Sequence, residues 1–272
     1  MSELPLADKT VLVTGAPDGI GYATTRRLVD DGATVILHAQ DQQRGEDALA
    51  RLIKAGAEPL RLHLVVADFT RLAEVTELSR LITAELPALD LLINNAAIAG
   101  PERRTHSGDG HEITFQVNYL APYMLTTALT DHIAKVQGRM ISVSSALHRG
   151  ASVSFNDLAL GRHYSPLAVY AQSKLALTMF TRSFAEANAG HLSALSVHPG
   201  VFDTGLLRVY GRVGRPATEA SAILGALSSP ACAIVNGGYY DGLDPAPAAA
   251  LVENTRARAR LLTLSGRLTR TP

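Results

Sequence analysis

The chain of 272 residues carries 25 Lys+Arg against 25 Asp+Glu, is 47% hydrophobic and holds one cysteine. Zero net charge gives no electrostatic case for nucleic acid or an anionic membrane as partner. Cys232, being alone, cannot form an intrachain disulfide, so a reducing compartment fits, and its place beside an apolar run reads as inert core. The opening MSELPLADKTVLVTG lacks the pattern of a signal peptide, and no apolar run approaches the roughly 18 residues of a membrane span. The expectation is a cytoplasmic protein forming one domain over residues 1–272, with no nucleic-acid or membrane partner.

In chain order, short apolar β-branched runs alternate with longer helical stretches. TVLVTG reads as a strand, followed by a helix over GIGYATTRRLVDDG that closes on Gly32. ATVILHA, EPLRLHLVVAD and ALDLLINNAA follow as strands, separated by the helices DQQRGEDALARLIKAG and RLAEVTELSRLITAEL. A long helical region is expected from about Gly110 to Val136, bent at Pro122. GRMISVSS, the helix LAVYAQSKLALTMFTRSFAEAN and HLSALSVHPG continue the alternation. The segment DPAPAAA (244–250) reads as a connection to a last amphipathic helix, whose TRARAR arginines form its solvated face. Strands apolar on both faces and β-α-β-α order predict an α/β fold, a doubly wound parallel sheet of about seven strands with helices on both faces.

Four stretches carry chemistry. Thr14-Gly15-Ala16-Pro17-Asp18-Gly19-Ile20-Gly21 lies between the first strand and first helix. Glycines there let the backbone approach a ligand, and the helix N-terminus supplies N–H groups and partial positive charge, which suits a pyrophosphate. Tyr170 and Lys174 share a helix face at i, i+4 spacing. Alone such a pair is an ordinary helix face. Ser144-Ser145 ends the fifth strand, and Asn118 sits near the expected bend. The histidines show no ligand spacing, so no metal is expected. His148 and His163 read as surface histidines with possible access to substrate.

TGAPDGIG (14–21), NNAA (94–97), Val117-Asn118, SVSS (142–145), YAQSK (170–174) and HPGVFDT (198–204) occur in one order. In this the chain resembles the short-chain dehydrogenase/reductase family over essentially its whole length. The tail is similar to the retinol-dehydrogenase-like branch. The resemblance implies that Gly15, Asp18, Gly19, Ile20 and Gly21 line the phosphates and ribose of a nicotinamide dinucleotide. It places Asp68 at the adenine, Asn95 on the adenosine side and Thr204 at the carboxamide. It makes Asn118, Ser145, Tyr170 and Lys174 a catalytic tetrad, with Tyr170 and Lys174 also touching the cofactor. A free tyrosine titrates near ~10, so an adjacent ammonium has to stabilise the phenolate. Asn118 would then position a water linking Lys174 to solvent.

Three positions depart from the pattern. Ala97 stands where glycine is usual, and Pro17 removes an N–H from the phosphate loop. At the end of the second strand, Ala39 takes the place of the acid that binds a ribose diol, and Gln40 the place of an arginine that binds a 2′-phosphate. With Arg44 one turn into the next helix, NADP(H) is favoured over NAD(H). The loops 146–166 and 201–218 build the substrate crevice, and the glycines of the second suit a closing lid. Their apolar residues point to a small-molecule substrate, a mostly apolar ketone or secondary alcohol. The alternatives are a dehydratase, cyclase or isomerase using the same Tyr/Ser/Lys site, and a cofactor-binding regulator. A homodimer or homotetramer is expected, with the apolar helix around Tyr170 supplying the contact.

Overall fold

A computed structural model describes residues 5–203, 205 and 214–270. Its centre is an eight-stranded sheet in the order β3-β2-β1-β4-β5-β6-β7-β8. The strands are β1 (Thr10–Val13), β2 (Thr34–Ala39), β3 (Leu62–Val66), β4 (Leu91–Asn94), β5 (Arg139–Val143), β6 (Ser193–His198), β7 (Tyr239–Asp241) and β8 (Asp244–Ala246). Every pairing is parallel except β7 with β8. The expected doubly wound sheet is present. Its eighth strand lies in the Pro/Ala-rich segment read as a connection. Pro245 is tolerated there because β8 is a short edge strand, where a missing N–H costs no central ladder bond.

Helices cover both faces. α1 (Gly19–Asp30), α2 (Gln42–Lys54) and α8 (Ala217–Ser228) bury Leu28, Leu52 and Leu224 against Val11, Val13 and Val197 of the sheet. On the other face α3 (Leu72–Glu85), α5 (Ala121–Ala128), α7 (Pro166–Ala187) and α10 (Thr255–Thr269) enclose Leu78, Leu125, Leu177 and Leu261. The central strands are therefore apolar on both sides, whereas β3, at the sheet edge, leaves His63 and Val66 exposed. Short helices α4 (Ile113–Phe115), α6 (Thr130–Ala134) and α9 (Ala250–Glu253) complete the set.

Four local readings are corrected. The region 110–136 is not one helix: α4 runs into a wide turn over Gln116–Leu120, then α5 and α6. In that turn the Ala121 N–H reaches Gln116 O, five residues back. Pro122 has no N–H to offer the Asn118 carbonyl four residues before it, so the regular ladder is interrupted there. Arg258 of the TRARAR run is buried, not solvated, and donates to Glu186 Oε2 at 2.6 Å. Cys232 is half-buried at the edge of its cluster and not core. Finally, α7 is buried along most of its length, with α9 and α10 packed on it. Its apolar character is thus accounted for by packing within the chain.

Candidate active site

The C-terminal ends of the strands open into a crevice of about 930 Å³ at the point where strand order reverses between β1 and β4. Among the sequence-predicted residues, Gly15, Asp18, Gly19, Ile20, Gly21, Gln40, Arg44, Asp68, Asn95, Ser145, Tyr170 and Lys174 line it. Asn118 is fully buried and does not line the crevice. Thr204 and half of the expected lid lie outside the described residues, although the lid's base is pinched: Asp203 N donates to Arg215 O at 2.8 Å and Arg215 N to Val201 O at 3.1 Å.

The phosphate loop is held from three sides. Gly15 has φ +64°, and a Cβ there would lie 2.7 Å from Ala96 Cα, so only glycine fits. A Cβ at Gly21 would strike the Gly15 carbonyl and Asn95 Nδ2. Asn95 Nδ2 donates to Thr14 O at 2.8 Å and to Gly15 O at 3.1 Å, so this side chain ties the end of β4 to the loop. Thr14 Oγ1 in turn receives the N–H groups of Asn95 and Ala96 at 2.9 and 3.0 Å. Asp18 caps α1 by position without a side-chain capping bond, and Arg51 stands 3.6 Å from its carboxylate. That arginine also donates to Pro17 O at 2.6 Å. It thus offsets the one acid beside the open helix N-terminus, and a pyrophosphate fits this backbone cradle.

His38, near the end of β2, was missed by sequence reasoning. Its Nδ1 accepts from Gly15 N at 3.1 Å while Nε2 lies 2.9 Å from Ala67 O. A backbone N–H only donates and a carbonyl only accepts, so the ring is neutral with its proton on Nε2. Burial pushes its pKa down to about 4, and Phe69 stacks on it at 4.3 Å. The one available signal was a polar residue inside the apolar run VILHA. At the adenine end, Gln40 Nε2 donates to Asp68 Oδ1 at 3.3 Å, and Arg44 stands 3.7 Å from Asp41 on the crevice wall.

The acid–base groups come from β5 and α7. Ser145 caps a 3-10 turn over Ala146–Gly150, and its Oγ receives the Leu147 N–H at 3.3 Å. That donor occupies an oxygen lone pair and leaves the hydroxyl hydrogen to give. Ser144 Oγ instead meets Thr178 Oγ1 at 2.7 Å, turned into α7. The geometry therefore singles out Ser145 of the two. Lys174 Nζ donates to Val143 O at 2.8 Å and stands 5.7 Å from the centre of the Tyr170 ring. Burial pushes its pKa down to about 7. The Asn118 side chain is fully engaged: Oδ1 accepts from Ile98 N at 2.8 Å, and Nδ2 donates to Ile98 O and Ser173 Oγ. Its side chain fastens the loop after β4 to α7.

Of the two loop histidines, His163 is exposed, as read from the sequence, whereas His148 is fully buried. His198, which ends β6 and lines the crevice, opens the HPGVFDT stretch but was given no role there, and burial lowers its pKa. Among the described residues no group of His, Cys, Asp or Glu is arranged to hold a metal, and no helix is long and apolar enough to cross a membrane.

The family model described as short chain dehydrogenase matches residues 9–212. Human retinol dehydrogenase 13 is 33% identical over an alignment covering 98% of this chain and 86% of its own. Retinol dehydrogenase 14 of Mus musculus is 36% identical over 74% of this chain and 63% of its own, and human polyprenol dehydrogenase 33% over 74% and 62%. Among solved structures, an uncharacterised protein from Mycobacterium paratuberculosis superposes with a TM-score of 0.82 at 27% identity, covering 98% of this chain and 95% of the other. The RhlG/NADP complex of Pseudomonas aeruginosa shares the fold, with a TM-score of 0.71 at 24% identity over 89% and 97%.

Proposed function

The chain belongs to the short-chain dehydrogenase family, in its retinol-dehydrogenase-like branch, and is an NAD(P)-dependent oxidoreductase; from that premise we propose that it uses NADP(H) to interconvert a mostly apolar ketone and its secondary alcohol. The observation that carries this reading is the continuity of one crevice, with the glycine cradle at one end and Ser145, Tyr170 and Lys174 beyond it. The bound dinucleotide supplies or accepts the hydride. The chain's own residues manage the proton and the geometry. In the reducing direction Ser145 Oγ–H donates to the substrate oxygen and Tyr170 delivers a proton to it. Lys174, close to the Tyr170 ring, favours the phenolate that remains. With a pKa near neutrality it is able to return the proton.

Two features support the finer choices. Ala39 is a buried methyl where an acid would hold a ribose diol, and Arg44 offers a guanidinium on the crevice wall. The described crevice lining includes the apolar side chains Ile98, Pro101, Leu147, Leu167, Val201 and Phe202. Leu147, Leu167 and Val201 remain 43%, 50% and 49% exposed, an apolar rim suited to a substrate that extends out of the pocket. The test is a panel of ketones with NADPH or NADH, followed by nicotinamide absorbance. Wild type is expected to turn over apolar members, and Tyr170→Phe to lose at least about a hundredfold in kcat. Conversion of a substrate without any cofactor, or full activity of Tyr170→Phe, would overturn the proposal.

A further inference from the structure

The loop that follows Ser145 is fastened by a residue that the chemistry above does not use. His148 lies in the 3-10 turn capped by Ser145, and its side chain is wholly buried. Its Nδ1 stands 2.7 Å from Ser145 O, and its Nε2 receives the N–H of Ala249, 101 residues away, at 3.2 Å. The Ser145 carbonyl only accepts and the Ala249 amide only donates. Both partners therefore demand the same neutral ring, with its proton on Nδ1. The Ser145 carbonyl also takes the His148 backbone N–H at 3.1 Å. Two donors from one residue thus hold the peptide plane immediately after the serine.

The outer side of this ring is braced as well. Tyr239 of β7 packs against it at 4.5 Å between ring centres. Arg149 lies over the Tyr239 ring and donates to Pro247 O at 3.1 Å and Asp241 Oδ2 at 3.2 Å. The segment entering α9 is thereby clamped to the turn that carries Ser145.

We infer that His148 is the positioning residue for Ser145: it locks the serine carbonyl through Nδ1–H and anchors that lock, through Nε2, to the chain segment before α9. The inference rests on the redox reading above, because it assigns Ser145 a hydroxyl that has to meet a substrate oxygen. With its carbonyl held and its Oγ engaged by Leu147 N, the Ser145 hydroxyl is fixed in place and its hydrogen points away from that donor. A displacement of about 1 Å at such a group costs on the order of a hundredfold in rate.

Two substitutions separate positioning from bulk packing. In His148→Asn, the side-chain amide nitrogen takes the place of Nδ1 and keeps the bond to Ser145 O while losing Ala249. In His148→Gln, the side-chain oxygen takes the place of Nε2 and keeps Ala249 while losing Ser145 O. Steady-state kinetics with an apolar ketone, cofactor affinity from NADPH fluorescence and thermal melting are measured for both and for His148→Ala. The expected result is that Gln and Ala lower kcat about tenfold or more, Asn stays within about threefold of wild type, and cofactor affinity changes less than about twofold in all. Wild-type kcat in His148→Gln, or losses of kcat that follow the melting temperatures and not the Asn/Gln division, overturns the inference and leaves the redox reading standing. Absence of turnover by wild type with every carbonyl overturns both.

Discussion

Lys174 is a cation placed where the fold does not want one, and the consequence is measurable without any substrate. Its pKa falls from 10.5 to about 7 because burial removes water from the ammonium. At ~1.4 kcal/mol per pH unit, a drop of that size corresponds to roughly 4–5 kcal/mol of destabilisation where the unfolded lysine is protonated. Lys174→Met keeps the aliphatic stem and removes the charge. It also removes the bond to Val143 O, a loss of about 1–1.5 kcal/mol that does not depend on pH. The variant is therefore expected to be more stable than wild type by roughly 3 kcal/mol near pH 6.

The advantage has a defined pH course. Between about pH 7 and pH 10.5 the folded wild type binds fewer protons at this lysine than its unfolded chain, so raising the pH stabilises it. Lys174→Met lacks that dependence. The two stabilities are expected to converge at ~1.4 kcal/mol per unit and to cross near about pH 9–10. Urea unfolding followed by far-UV circular dichroism, at half-unit steps from about pH 6 to pH 10, measures the gap; other titrating groups are common to both chains and cancel. A gap that stays constant over the range, or a variant less stable than wild type near pH 6, would refute the argument that burial depresses this pKa. The same variant is expected to be inactive, since stability here is gained by removing the group that serves the proton.

Two further predictions concern the cofactor half of the crevice. Arg44→Ala is expected to reduce the preference for NADPH over NADH by roughly ten- to a hundredfold, the range of a charge-assisted bond worth about 1.5–3 kcal/mol; an unchanged ratio of the two dissociation constants rejects NADP(H) selection by Arg44. His38 is expected to titrate near about pH 4 in NMR spectra of the imidazole protons. Since the folded state holds this ring neutral while the unfolded one takes a proton below 6.5, stability falls as the pH drops from 6.5 towards 4. A midpoint near 6.5 in the folded protein would remove the tether between His38 and Gly15.

The features legible in the sequence were local ones. Gly15, Gly19 and Gly21 stand within one short stretch, Tyr170 and Lys174 within one helical turn, and Ser145 at a strand end; it was the resemblance of these local motifs to a family pattern, not spacing alone, that posed them as a set. The residues that were missed, as His38 was, or misread, as His148 was, act across the fold. His38 meets Gly15 from the neighbouring strand, and His148 meets Ala249 across 101 positions. Neither contact leaves a periodic trace, and a buried polar ring looks in sequence like an exposed one. The same reason explains Arg258, whose solvated appearance in TRARAR dissolves once Glu186 of α7 stands beside it. The break in the region 110–136 was legible only as a proline. The wide turn it accompanies carries Asn118 into the interior, and its side-chain bonds were beyond reach of the sequence.

A common device links the two ends of the crevice. At each, a backbone carbonyl or N–H next to a functional group is claimed by a neutral histidine whose tautomer its partners dictate. His38 takes the Gly15 N–H and passes the load to Ala67 O; His148 gives to Ser145 O and is itself held by Ala249 N. A neutral imidazole is suited to this because it offers one donor and one acceptor on a rigid ring, with few rotatable bonds to order. Acid would convert either ring to a double donor, setting its new N–H against a backbone N–H. Both are buried, with pKa values lowered by that burial, so the arrangement remains intact at neutral pH, where Lys174 stands near its own midpoint. The rings that fix geometry are thus held neutral at the pH where the group that moves the proton titrates.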